Sequence, residues 1–219
     1  MQRAPLAALP LLFVLALRLP LAHADDPKTR GKAGDALTPM AMGNTWVYAS
    51  ADEDFVTTER IEGVVQFEGK PWYLLRSYER EKDQPTEANK SAGIEMWVAM
   101  IDGHECDAFT KPTDPDEELV GLKLGPSSRY YRYPATAGET YMPNKDDRTM
   151  VMTVVALNEQ VKTKAGAFDC VVYKETNNED PDFSFTSYVA PGVGIVKHTT
   201  TDAEGTYTAE LIRYSLVGE

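Results

Sequence analysis

Between Trp46 and Leu216 no apolar stripe with the helical period of about 3.6 residues runs long enough to demand a helix. What recurs instead is a short run of β-branched and aromatic residues closed by glycine, proline or acidic turn residues. The sharpest case is Tyr188-Val189-Ala190-Pro191-Gly192-Val193-Gly194-Ile195-Val196, where two strand-like runs flank a Pro-Gly corner. Proline presets φ to about −65° at the second turn position, and glycine supplies the positive φ that a type II turn needs at the third. Type II turns splay the flanking strands. A bent corner is therefore expected, with Gly194 free to absorb the mismatch as a bulge.

The rest of the chain follows the same pattern. Order is expected from about Pro39 onward, with strands predicted over 56–67, 72–78, 94–101, 129–133, 150–157, 168–174, 183–190, 195–200 and 206–216. A further apolar run spans 119–124. Residues 94–101 are apolar on both faces, which predicts burial from both sides or one face lining an apolar hollow. In the last run the apolar set changes face at Leu211, which predicts a bulge there.

The two halves match at near-constant offsets. Pro39, Gly43 and Trp46 align with Pro134, Gly138 and Tyr141 at an offset of 95, and Trp72 aligns with Phe168 at 96. Trp97-Val98-Ala99 aligns with Tyr188-Val189-Ala190 at 91. The expectation is a duplicated unit of strands, too long in period for a solenoid or blade repeat.

The first 24 residues read as an export signal: Arg3, an apolar run over 6–17, then Ala22-His23-Ala24 as the cleavage site. The run is shorter than the ~20 residues that a membrane span requires. Residues 25–38 read as a flexible leader. Removing 24 of the 219 residues leaves 195, with 20 basic and 34 acidic side chains and a net charge of −14. Such a chain repels nucleic acid and anionic lipid, whose binding rests on basic residues. Two cysteines, Cys106 and Cys170, remain. In an oxidising compartment they either bridge or pack as small buried hydrophobes, and spacing leaves both open.

Gly43-Asn44-x-Trp46-x-Tyr48, Ala165-Gly166-x-Phe168-x-Cys170 and Tyr188-x-Ala190-Pro191-Gly192-Val193-Gly194-x-Val196 together resemble a group of uncharacterised exported bacterial β-proteins. More distantly the chain is similar to families of unknown function with a curved half-barrel like that of lipoprotein carriers. The resemblance implies a fold and an exported location, but no activity, cofactor or site residue.

Catalytic signals are absent from the sequence. There is no Gly-x-Ser-x-Gly elbow, no phosphate loop, and only His104 and His198 follow the signal. Asp102, His104 and Cys106 alternate, as a metal corner or activated thiol would need, but they read more simply as a strand end. The acidic runs at 114–118 and 179–182 lack the pattern of a calcium loop. No catalytic residue, metal site or cofactor is assigned. Seven methionines (Met40, Met42, Met96, Met100, Met142, Met150 and Met152) stand beside Trp46, Trp72 and Trp97. Methionine adapts to irregular spaces and varied ligands. Trp72, Met96, Trp97, Met100, Met150 and Met152 are the candidates to line an apolar cavity.

The sequence thus predicts an all-β, mainly antiparallel protein. Its single domain over 39–219 is a curved sheet forming a half-barrel or barrel-like fold from two related halves, 39–133 and 134–219. The functional reading is a periplasmic or secreted, non-catalytic envelope protein. It would bind a lipid or other apolar small molecule, or a protein partner, on the curved sheet. The alternative is a secreted hydrolase acting on envelope or extracellular material through carboxylates.

Overall fold

The computed structural model describes residues 37–50, 54–82, 92–102, 104–108, 129–143 and 149–218. The expected signal peptide, most of the leader, the acidic run at 114–118 and the apolar run at 119–124 lie outside the described residues.

Strands β1 (Thr45–Ser50), β2 (Phe55–Phe67), β3 (Lys70–Glu81), β4 (Ala92–Ile101), β5 (His104–Ala108) and β6 (Arg129–Arg132) form one meander. Strands β7 (Thr140–Tyr141), β8 (Met150–Thr163), β9 (Gly166–Asn177), β10 (Ser184–Ala190), β11 (Gly194–Asp202) and β12 (Gly205–Ser215) form a second. β1 pairs with β12, so among the described residues the two meanders join into one antiparallel sheet of 12 strands running from β6 through β1 and β12 to β7. The expected all-β, mainly antiparallel curved sheet is what forms, and among the described residues it stays open, with β6 and β7 as its edges. No helix among the described residues is long and apolar enough to cross a membrane.

Local chemistry explains the turns. Glu68 and Gly69 both take positive φ between the paired residues Phe67 and Lys70, the two-residue loop whose twist suits a tight hairpin. The Asp202 carboxylate accepts the Glu204 and Gly205 amides, closing the β11–β12 turn. At the Pro-Gly corner the Val193 amide donates to the Ala190 carbonyl and Gly192 has φ of 81°, as a type II turn requires. The mismatch is taken up a little further on, where Tyr188 pairs with Lys197 and Val189 with Ile195, leaving Val196 as the bulge. The bulge expected near Leu211 falls on Ile212, which has no partner between Val47–Arg213 and Tyr48–Leu211.

Curling brings the first meander's edge over the second meander's inner face. The Tyr131 and Ser187 hydroxyls are 2.8 Å apart, and the Tyr173 hydroxyl donates to the Arg132 carbonyl at 2.6 Å. Arg132 lies over the Tyr141 ring and pairs with Glu139 at 2.6 Å. Leu37, two residues before Pro39, is fully buried in the same cluster.

β1 fastens the corner. Trp46 donates its indole N–H to the Val193 carbonyl at 2.6 Å, and Tyr48 donates its hydroxyl to the Ile195 carbonyl at 3.0 Å. Gly194, with φ of 100°, sits under this clamp, and a Cβ there would stand 3.3 Å from Thr38 Cγ2. Gly138 has φ of 81° with nothing within 4 Å. Gly194→Ala is therefore expected to cost more in denaturant-measured stability than Gly138→Ala. Backbone strain alone costs about 1–3 kcal/mol at either glycine, and the crowding adds to it only at 194. Equal losses would mean that the corner is not tightly packed.

Candidate functional site

The concave face of the first meander holds a cavity of about 90 Å³. Its walls follow from strand alternation, which puts residues two apart on one face. Cross-strand pairing lays Ile61, Leu75 and Met96 in a row over β2, β3 and β4. Trp46 and Glu59 sit in the next row, opposite Ser77. Tyr48, Val98 and Glu105 extend the wall, Ile195 arrives from the Pro-Gly corner, and Thr38 and Met40 approach from the entry to β1.

Two carboxylates thus stand in a mainly apolar lining. Burial pushes the Glu59 carboxyl up to about 7, the charge of Glu105 adds to this, and a hydrogen bond from Ser77 opposes it. Glu105 is raised by burial against a hydrogen bond from Thr38. Its Oε2 atom is shut off from solvent and has no hydrogen-bond partner among the described residues. Asp107, next on the same face, is raised to about 7 by burial and by Glu105, with a smaller contribution from Glu175. Glu175 belongs to β9, pairs with Phe185 and Met152 on the second meander's inner face, and is itself raised by burial. The curl therefore brings carboxylates of both meanders within electrostatic reach. No three His, Cys, Asp or Glu side chains among the described residues come together as a metal site.

The neighbouring inner surface is aromatic. His198, half-buried and held below its ordinary pKa by burial, lies 5.3 Å from the Phe185 ring and 6.1 Å from Tyr48. Ser187 links His198 and Tyr173 as cross-strand partners.

The structure separates the six residues expected to line a cavity. Met96 lines it. Met100 is half-buried and pairs with Glu105 on the same face. Trp72 and Trp97 pack instead in a cluster with Phe67, Ala99 and Cys106, because Trp97 lies between Met96 and Val98 and must face the other way. Met152 is buried against Tyr173 and Val189 in the second meander, and Met150 is half-buried at the start of β8. Met42 and Met142 are exposed.

The cysteine bridge is not formed: both residues are buried thiols. The physical reason is placement, since Cys106 packs with Trp72 and Trp97 while Cys170 packs with Trp46 and Phe168 in a different cluster. Burial pushes the Cys170 thiol up to about 12. Asp102, exposed at a turn, pairs with Lys70 rather than joining Cys106 in a ligand set. Glu59 and Glu105 escaped the sequence reading. The signal was present in the alternation, because placing Cys106 on the far face sends Glu105 and Asp107 into the hollow.

No family model matches the chain, and no curated protein does. Among solved structures it is similar to a Bacteroides fragilis protein inferred to be exported and to have a YmcC-like fold. Identity is 15%, the TM-score is 0.51, and the match covers 83% of this chain and 100% of that one. A Parabacteroides distasonis protein inferred to be a lipoprotein matches at 13% identity and a TM-score of 0.48, over 83% of this chain and 99% of the other. At such identity the likeness to the Bacteroides protein speaks for the fold alone.

Proposed function

We propose that this is an exported, non-catalytic envelope protein that holds the apolar part of a small molecule in the hollow of its curled sheet. The observation that carries this reading is the cavity walled by Ile61, Leu75, Met96, Val98 and Ile195. Adaptable apolar side chains with a few fixed polar groups are the usual make-up of a ligand site. The export signal read from residues 1–24, and the exported location inferred for the similar Bacteroides protein, support a periplasmic or secreted place. The arrangement of the described strands as two successive meanders supports descent from one duplicated unit.

A carboxylate-dependent hydrolase is the second reading, favoured by Glu59 and Asp107, whose pKa of about 7 suits a general acid. It ranks below binding because the cavity lining is mainly apolar, and Asp107 is not part of it. The test is to purify the protein from its own envelope without detergent and extract it for mass spectrometry. A co-purifying amphiphile in near-stoichiometric amount is expected. Empty protein that cleaves a glycoside or ester panel, and loses that activity in Glu59→Gln, would put the hydrolase first.

A further inference from the structure

We infer that the hollow selects a ligand whose apolar segment ends in a positively charged group of the alkylammonium kind, the charge docking between Glu105 and Glu59. This rests on the binding reading above and names the chemistry of its ligand. Four observations converge on it. The Glu105 Oε2 atom is buried at the cavity wall without a partner among the described residues, which is costly unless something donates to it. The donors of the neighbouring wall are already engaged, the Trp46 indole by Val193 and the Tyr48 hydroxyl by Ile195. Of the described side chains lining the cavity, two are acidic and none is basic. Trp46 and Tyr48 add aromatic surface of the kind that attracts organic cations.

A ligand must therefore bring the missing donor, and a cationic donor answers both the orphaned oxygen and the uncompensated charge. An anionic head would meet Glu59 and Glu105 directly, with Asp107 and Glu175 behind them. Thr38 and Ser77 are already bonded to the two glutamates and leave each able to accept another hydrogen bond. His198, near Tyr48, is held neutral by burial and supplies no competing cation.

The test is calorimetric titration of the whole protein at pH 8 with three probes of equal chain length: n-octylammonium, n-octanol and n-octanoate. Octylammonium is expected to bind at least about tenfold tighter than octanol, the difference made by a charge-assisted hydrogen bond, with octanoate weakest. Glu105→Gln should remove most of that preference. Glu59→Gln serves the same purpose if the first variant does not fold. Octanol or octanoate binding as tightly as octylammonium would overturn the choice of charge and leave the apolar hollow standing. Binding of none of the three would remove the hollow and this inference together.

Discussion

Raising the pH from about 5 to 8 is expected to destabilise this fold, the reverse of ordinary acid denaturation. Glu59 and Asp107 hold their protons up to about 7 in the folded chain, chiefly because burial disfavours their charged forms. In the unfolded chain the same groups titrate at about 4. Between these values the native state binds more protons than the unfolded state, so stability falls as the pH rises. The loss begins near the unfolded pKa and is complete once the pH passes the folded one. Glu105 and Glu175 are shifted the same way by burial and act in the same direction.

His198 opposes them. Its pKa is lowered, so the unfolded chain takes up a proton below about 6.5 before the native chain does, and stability drops on that side. One imidazole against four carboxyls leaves the maximum on the acidic side of neutrality. Each of the two strongest shifts corresponds to about 3–4 kcal/mol, and because the groups interact the sum is smaller than the parts. The expected net loss is roughly 3–5 kcal/mol on this reasoning. Melting temperatures from pH 4 to 9 should therefore peak at about pH 5. The double variant Glu59→Gln/Asp107→Asn should flatten the curve and be the more stable protein at pH 8. A wild-type melting temperature that climbs from pH 5 to 8 would show that these carboxyls are solvated.

Trp46→Ala should be among the most damaging single substitutions, at about 3–5 kcal/mol. The side chain is 2% exposed and packs with Ile61, Val193 and Leu211. Its indole also holds the Val193 carbonyl, so truncation opens a cavity and orphans a buried acceptor at once. Trp46→Phe keeps most of the packing and loses only the hydrogen bond, which predicts a smaller cost of about 1–3 kcal/mol. Urea titration of the two variants separates the contributions. Equal losses would assign the whole effect to the hydrogen bond. A negligible loss in both would mean that β1 does not clamp the corner.

The strands and their turns were legible because they are written in near neighbours. Pro191-Gly192 announced its turn type, and the face change at Leu211 announced a bulge. The cavity was only half legible. Met96, Met40 and Trp46 belong to the apolar set and line the hollow, whereas Trp72 and Trp97, equally apolar, pack on the other face, and an apolar pattern on both faces does not say which one is hollow. Alternation on β4 alone puts Trp97 opposite Met96. Glu105 passed unnoticed for the related reason that a glutamate on a short strand in an acidic chain looks like a solvated residue. Alternation sets it opposite Cys106, and the rows of cross-strand partners then show that its face is the inward one.

By itself the sequence determined most of the strands, the antiparallel class and the turn geometry, since these depend on alternation and backbone preference within a few residues; β5, which carries Glu105, was not among them. The tertiary structure alone decided that Trp46 meets Val193 across 147 positions, that Tyr131 reaches Ser187, and that Asp107 lies within reach of Glu175. Those meetings depend on how far twelve strands twist and curl before the edge of one meander comes down on the other. That angle accumulates over the whole sheet and is encoded in no single stretch of it.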